Sequence, residues 1–137
     1  VNTVKIDVYN PTINGIRLSY YEGVWKKIPD FSKEKKQYDT VVARLSTKSF
    51  RHTTDHFGAV FEGKIQIPEN GTYTFYLSSD DGTKLYFQDK QCIDHDGIHG
   101  PSEKTYTGTF AKGQIPFKIE YFEGDWGENI ALYVSGP

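Results

Sequence analysis

Apolar residues recur at every second position through most of this chain, and that spacing suits strands with one buried face rather than helices. The plainest case is the stretch from Tyr73 to Phe87. Tyr73, Phe75 and Leu77 share one face, and Thr83, Leu85 and Phe87 share one after the break at Asp80-Asp81-Gly82. Asp81-Gly82 is a two-residue signal for a tight hairpin, because both central positions of such a turn favour positive φ. Similar alternation runs through Val4, Ile6 and Val8; Ile16, Leu18 and Tyr20; and Val41, Ala43 and Leu45. It returns at Ala59, Phe61, Gly63, Ile65 and Ile67, at Ile115, Phe117, Ile119 and Tyr121, and at Ile130, Leu132 and Val134. Turn-forming residues separate these runs, at Asn14-Gly15, Pro68 to Gly71, Asp96-Gly97, Gly113 and Gly124 to Gly127. No segment of a dozen residues carries a 3.6-residue stripe. Many short strands with frequent turns predict an all-β antiparallel sandwich or barrel. The polar stretch from Trp25 to Tyr38 reads as a long surface loop.

The 137 residues suit one domain. A formal charge of -2 implies neither nucleic acid nor an anionic membrane as partner. The basic run Lys33 to Lys36 is interleaved with Asp30, Glu34 and Asp39 and reads as a solvated loop. No apolar run approaches the roughly 18 residues of a membrane-spanning helix, so no membrane insertion is expected. The chain starts at Val1 and ends at Gly136-Pro137 without a visible signal peptide, and it reads as a piece of something longer. The single Cys92 excludes an intrachain disulfide and reads as a small buried thiol.

The chemistry concentrates at Asp80 and Asp81. Adjacent carboxylates suit a hard cation such as calcium. They equally suit a structural turn, with Asp80 accepting backbone N–H groups and Asp81 favouring the bend. Trp126, between glycines in a loop, is placed either to stack on a sugar ring or to seal the sandwich end. Trp25 is a weaker candidate of the same kind, and Tyr20 and Tyr21 are expected to split between core and surface. His52 and His56, like His95 and His99, have the i, i+4 spacing of a helical zinc pair, but neither lies in a helical context and no third ligand converges. Asp96 and His99 are candidates to reach the same end of the sandwich as Asp80. No acid/base pair, phosphate loop or nucleophile elbow is marked, so no enzyme activity is expected.

Several phrases together resemble the protective-antigen fourteen-kilodalton (PA-14) domain family. They are Gly15-Ile-Arg-Leu-Ser-Tyr-Tyr-Glu-Gly23, Phe57-Gly-Ala-Val-Phe-Glu-Gly-Lys-Ile-Gln-Ile-Pro68, Asn70-Gly-Thr-Tyr-Thr-Phe75 and Ser79-Asp-Asp-Gly-Thr-Lys-Leu-Tyr-Phe87. The series continues with Ile93-Asp-His-Asp-Gly97, Ile115-Pro-Phe-Lys-Ile-Glu-Tyr-Phe-Glu123 and Ile130-Ala-Leu-Tyr-Val134. Their order and spacing cover Gly15 to Val134. The resemblance implies a jelly-roll-like β-sandwich over residues 15–137, with residues 1–14 an added strand or a junction to a neighbouring domain. It also implies an extracellular module, secreted, periplasmic or at the cell surface. In the calcium-dependent adhesin branch, adjacent aspartates joined by a cis peptide hold calcium, which then coordinates sugar hydroxyls. Asp80 and Asp81 match that pair. A second loop supplies an Asn side chain and carbonyls in the adhesins; here it is Gly124 to Asn129, where Asp125 and Asn129 are chemically suitable.

The expected site is therefore Trp126, Asp80, Asp81 and Asp125 for carbohydrate, with Asp80, Asp81, Asp125 and Asn129 for calcium. The adhesins' long sugar-contacting insertion has no counterpart, and the compact loops look more like accessory domains of β-glucosidases or β-N-acetylhexosaminidases. The expected function is a non-catalytic carbohydrate-binding module of a glycoside hydrolase. Its expected partners are a glycan or polysaccharide and the catalytic domain of the same parent chain. The alternative is a structural domain that packs against that neighbour without sugar affinity.

Overall fold

The computed structural model describes residues 6–7, 15–124 and 127–137. Ten strands follow in order: β1 (Ile6–Asp7), β2 (Ile16–Glu22), β3 (Lys36–Val42), β4 (Phe57–Ile67), β5 (Gly71–Asp80), β6 (Thr83–Phe87), β7 (Lys90–His95), β8 (Ser102–Phe110), β9 (Gly113–Glu123) and β10 (Asn129–Ser135). They form two sheets, β1-β10-β5-β8 and β3-β2-β4-β9-β6-β7, and every pairing is antiparallel. The only helical pieces among the described residues are single 3-10 turns at Phe31–Lys33 and Thr47–Ser49. No described helix is long and apolar enough to cross a membrane. The all-β sandwich expected from the alternation is the observed architecture.

The inward faces are the ones the alternation marks. Phe75 and Leu77 from β5 and Leu132 from β10 meet Leu18, Phe61, Leu85 and Ile119 from the other sheet, all fully buried. Aromatic rings bridge the layers: Phe75 lies 4.8 Å from Phe87 of the opposite sheet, and 5.5 Å from Phe110 of its own sheet, itself 5.2 Å from Phe87. Such offset ring pairs add to the burial of apolar area.

Five expectations are corrected. Asp81-Gly82 is not a hairpin turn. β5 pairs with β10 and β8, whereas β6 pairs with β7 and β9, so the bend carries the chain from one sheet to the other. Gly82 is needed there for close approach rather than positive φ, since a Cβ would sit 2.6 Å from the Phe122 ring. The true two-residue hairpin joins β6 to β7 at Gln88 and Asp89, both with positive φ (51° and 67°). That is the geometry of a primed turn without its usual Asn-Gly signature.

The run Val41, Ala43, Leu45 was placed on one face. Instead Val42 is buried and Val41 is 62% exposed, because the β2–β3 register sets Val42 opposite the buried Ile16 and Val41 opposite the outward Arg17. Val42→Ala is expected to cost about 1–3 kcal/mol and Val41→Ala less than about 0.5 kcal/mol in urea unfolding. The stretch from Trp25 to Tyr38 is not simply surface loop. It folds over the outer face of the larger sheet, where Phe31 is buried against Tyr21 and Val60, with Trp25 and Ile28 packed on them. Tyr20 and Tyr21 are accordingly both buried, on opposite faces. Trp25 meets the Phe31 edge at 5.7 Å as part of this second core. Cys92 is half-buried rather than buried. It is the extra residue of a bulge, where Leu85 pairs with Ile93 and Tyr86 with Gln91, and so falls outside the inward series.

Candidate functional site

Asp80 is the last residue of β5, Asp81 lies in the crossing between sheets, and Glu123 is the last residue of β9. The peptide between Asp80 and Asp81 is cis. Ser79 and Thr83, buried on either side of the crossing, are hydrogen-bonded to each other at 2.9 Å, and the Ser79 hydroxyl donates to the Asp81 carbonyl at 2.8 Å. Below them the buried Tyr121 hydroxyl donates to the Asp80 carbonyl at 2.6 Å, and the Phe122 N–H donates to the Gly82 carbonyl at 3.0 Å. The backbone presenting the two aspartates is thus fixed by core residues rather than by a mobile loop.

The three carboxyl groups converge: one oxygen from each of Asp80, Asp81 and Glu123 lies within 4.8 Å of the others. Relative exposures are 6%, 1% and 1%. Asp81 is well supplied with donors. Its Oδ1 accepts the His99 N–H at 3.0 Å and its Oδ2 the Gly124 N–H at 2.7 Å, which ties the loops after β7 and β9 to one carboxylate. Glu123 is not: neither of its buried oxygens has a hydrogen-bond partner. An unsatisfied buried carboxylate is costly, and the cost falls on the charged form. Burial, followed by the neighbouring Asp81, pushes the Glu123 carboxyl up to about 9. Burial and then the charge of Asp81 raise Asp80 to about 6. Packed this way, Asp80 and Glu123 hold their protons more tightly than ordinary carboxyls; a hard cation with oxygen preference relieves both the repulsion and the unsatisfied oxygens.

Asn129 stands opposite Asp80 in the β5–β10 register, and its amide nitrogen lies 3.5 Å from the Ser78 hydroxyl. Asp125 and Trp126 lie outside the described residues. Glu123 was not anticipated, although a signal existed: the inward series Phe117, Ile119, Tyr121 continues by two to Glu123, which puts a carboxylate on a core face. At the rim, Ile98 is 58% exposed, and it would contact a side chain at Gly124. Asp96 and His99 do reach this end: Asp96 Oδ1 would lie 2.9 Å from a Cβ at Gly82, and the His99 N–H donates to Asp81. Three of the histidine rings are engaged in stacking. His95 and His99 stack at 4.1 Å, and His52 stacks on Phe57 at 4.4 Å, with its ring nitrogens near the Thr47 and Thr53 carbonyls.

No curated protein matches the chain. Among solved structures, the chain resembles a β-glucosidase from Kluyveromyces marxianus in complex with glucose, with a TM-score of 0.70 and 21% identity. The likeness covers 93% of this chain but 17% of the β-glucosidase, so the chain spans only a small part of that protein. It also resembles the Epithelial Adhesin 9 A domain from Candida glabrata in complex with Galb1-4GlcNAc, with a TM-score of 0.65 and 14% identity over 91% of this chain and 83% of that one. The PA14 domain of the MpAFP antifreeze protein is similar, with a TM-score of 0.66 and 15% identity over 91% and 82%. At these identities the likeness establishes the fold. The PA14 domain family model matches residues 13–137, and the chain belongs to the PA14 domain family.

Proposed function

We propose that this chain is a non-catalytic carbohydrate-binding accessory module of a secreted or surface glycoside hydrolase, with a calcium centre at one end of its sandwich. The observation that carries this reading is the buried carboxyl trio, in which Glu123 has two unpartnered oxygens facing Asp81. Asp80, Asp81 and Glu123 would hold the ion, with Asn129 and Asp125 as further oxygen donors. Bound calcium supplies coordination for paired sugar hydroxyls. The chain's own residues do the rest. Asp81 keeps the two flanking loops in place through its backbone partners. Ile98 offers an exposed apolar rim for the C–H face of a sugar, and Trp126 is assigned the stacking role. The β-glucosidase in complex with glucose and the adhesin in complex with Galb1-4GlcNAc support a carbohydrate-related role. The partners are then a glycan and the catalytic domain of the same parent chain, outside the cytoplasm.

Calorimetry with calcium, followed by a glycan array with and without the ion, tests both halves. The double substitution Asp80→Asn with Asp81→Asn should abolish calcium heat and any calcium-dependent rise in melting temperature. Trp126→Ala should weaken glycan binding and leave the fold intact. If the unmodified domain gives neither calcium heat nor a glycan signal, the better reading is a structural module packed against its catalytic neighbour.

A further inference from the structure

We propose a second carbohydrate subsite, independent of calcium, in the pocket between the end of β2, the start of β3 and the loop at residues 51–53. The cavity measures about 350 Å³ and is lined by Tyr20, Glu22, Gln37, Tyr38, Arg51 and His52 with Thr53. That is the lower end of small-molecule pockets, the scale of one sugar ring.

The local fold builds it. Tyr20 pairs with Tyr38, but Tyr21 pairs with Lys36, so Gln37 is the extra residue of a β-bulge. Bulges interrupt the ladder and re-aim side chains, and this one leaves Gln37 out of the strand pairing at the pocket. The Tyr20 hydroxyl accepts the Thr53 N–H at 2.9 Å and donates to Glu22 Oε2 at 2.9 Å. A core tyrosine therefore fixes the Glu22 carboxylate before any ligand arrives. Tyr38 donates its hydroxyl to the Arg51 carbonyl, and the Arg51 guanidinium lies 5.0 Å over the Tyr38 ring. The two tyrosine rings lie 5.0 Å apart.

The result is a preformed cavity with a carboxylate acceptor, a guanidinium donor, an amide that does both, and aromatic walls. An anion would meet Glu22 and a cation would meet Arg51. A neutral ring bearing adjacent hydroxyls satisfies both, since each hydroxyl donates and accepts. The ligand class is a neutral pyranose. His52 connects the pocket to the other end of the reading: its Nε2 lies 3.3 Å from Glu128, the neighbour of Asn129.

The test is a two-dimensional NMR titration of the 137-residue chain in EDTA with glucose, galactose, mannose and N-acetylglucosamine, each taken into the millimolar range. At least one sugar should shift the amides of Glu22, Gln37, Tyr38, Arg51 and Thr53. Arg51→Ala and Gln37→Ala should each weaken that binding by roughly tenfold or more, as expected for losing hydrogen bonds at a charged site. Asp80→Asn with Asp81→Asn should leave it unchanged, which separates this subsite from the calcium reading. No shift with any of the four sugars, shifts confined to the acidic end, or unaltered binding in both pocket variants would overturn the proposal. Glycine, run as a zwitterionic control, would overturn it by binding this pocket more tightly than every sugar.

Discussion

Truncating Phe75 to alanine is expected to lower stability by about 3–5 kcal/mol, near the top of what a single core substitution does. Phe75 is fully buried in the middle of β5 and is packed by Phe87 from the opposite sheet and by Phe110 from the neighbouring strand of its own sheet. These neighbours belong to strands of different sheets, β6 and β8, so they cannot move together to fill the space. Phe87 is held in the six-stranded sheet by β7 and β9, and Phe110 in the other by the pairing of β8 with β5. The cavity therefore persists, and the cost includes lost ring contacts as well as lost transfer energy. For a domain of this size the melting temperature should fall by roughly 10–20 °C. Thermal or urea unfolding by circular dichroism decides it; a variant that melts within a degree or two of the parent would show that the two sheets do not pack through this residue.

The second large effect is the coupling of pH to calcium. In the calcium-free fold Glu123 sits at about 9 and Asp80 at about 6, against ordinary values of 4.5 and 3.8. Between those limits the native state keeps protons that the unfolded chain has released. Stability of the calcium-free domain should therefore fall as pH rises from about 4 towards about 9, most steeply up to about 6 where both carboxyls contribute and then through Glu123 alone. Calcium replaces the protons and reverses the slope's cause. Its stabilising increment should thus be small at pH 5 and largest near pH 8, where a hundredfold excess over Kd contributes about 2.7 kcal/mol. Glu123→Gln keeps the shape but stays neutral. It should flatten the calcium-free profile above pH 6 and remove most of the calcium increment. Melts from pH 5 to pH 9, in EDTA and in millimolar calcium, check all three. An increment of equal size at every pH would remove Glu123 from the calcium centre.

How much of this was legible depended on which interaction fixed each feature. The inward faces of β2, β4, β5, β9 and β10 were readable because a strand alternates its side chains by geometry alone. The Val41 series failed because the pairing with β2 turns Val42, not Val41, inward, and nothing local marks which of two adjacent valines the register will bury. The hairpin was misplaced for a related reason. Asp81-Gly82 carries strong turn chemistry, yet Ser79, Thr83 and Phe122 use it to change sheets, while Gln88-Asp89 turns under the pairing of β6 with β7. The Trp25 to Tyr38 stretch looked like solvent-facing loop because its apolar residues have no period. They are buried by a sheet face already formed from Tyr21 and Val60.

For the candidate site, the sequence determined the pair Asp80-Asp81, the strand that delivers it and the family to which the chain belongs. Side-chain alternation and a contiguous motif are local properties, written into neighbouring residues. Only the tertiary structure decided that Glu123, distant in sequence, closes the trio, that Asp81 is held by loops from two other elements, and that Glu22, Gln37 and Arg51 line one cavity. These are consequences of which strands pair across the two sheets, and pairing is decided by burial of the whole core at once.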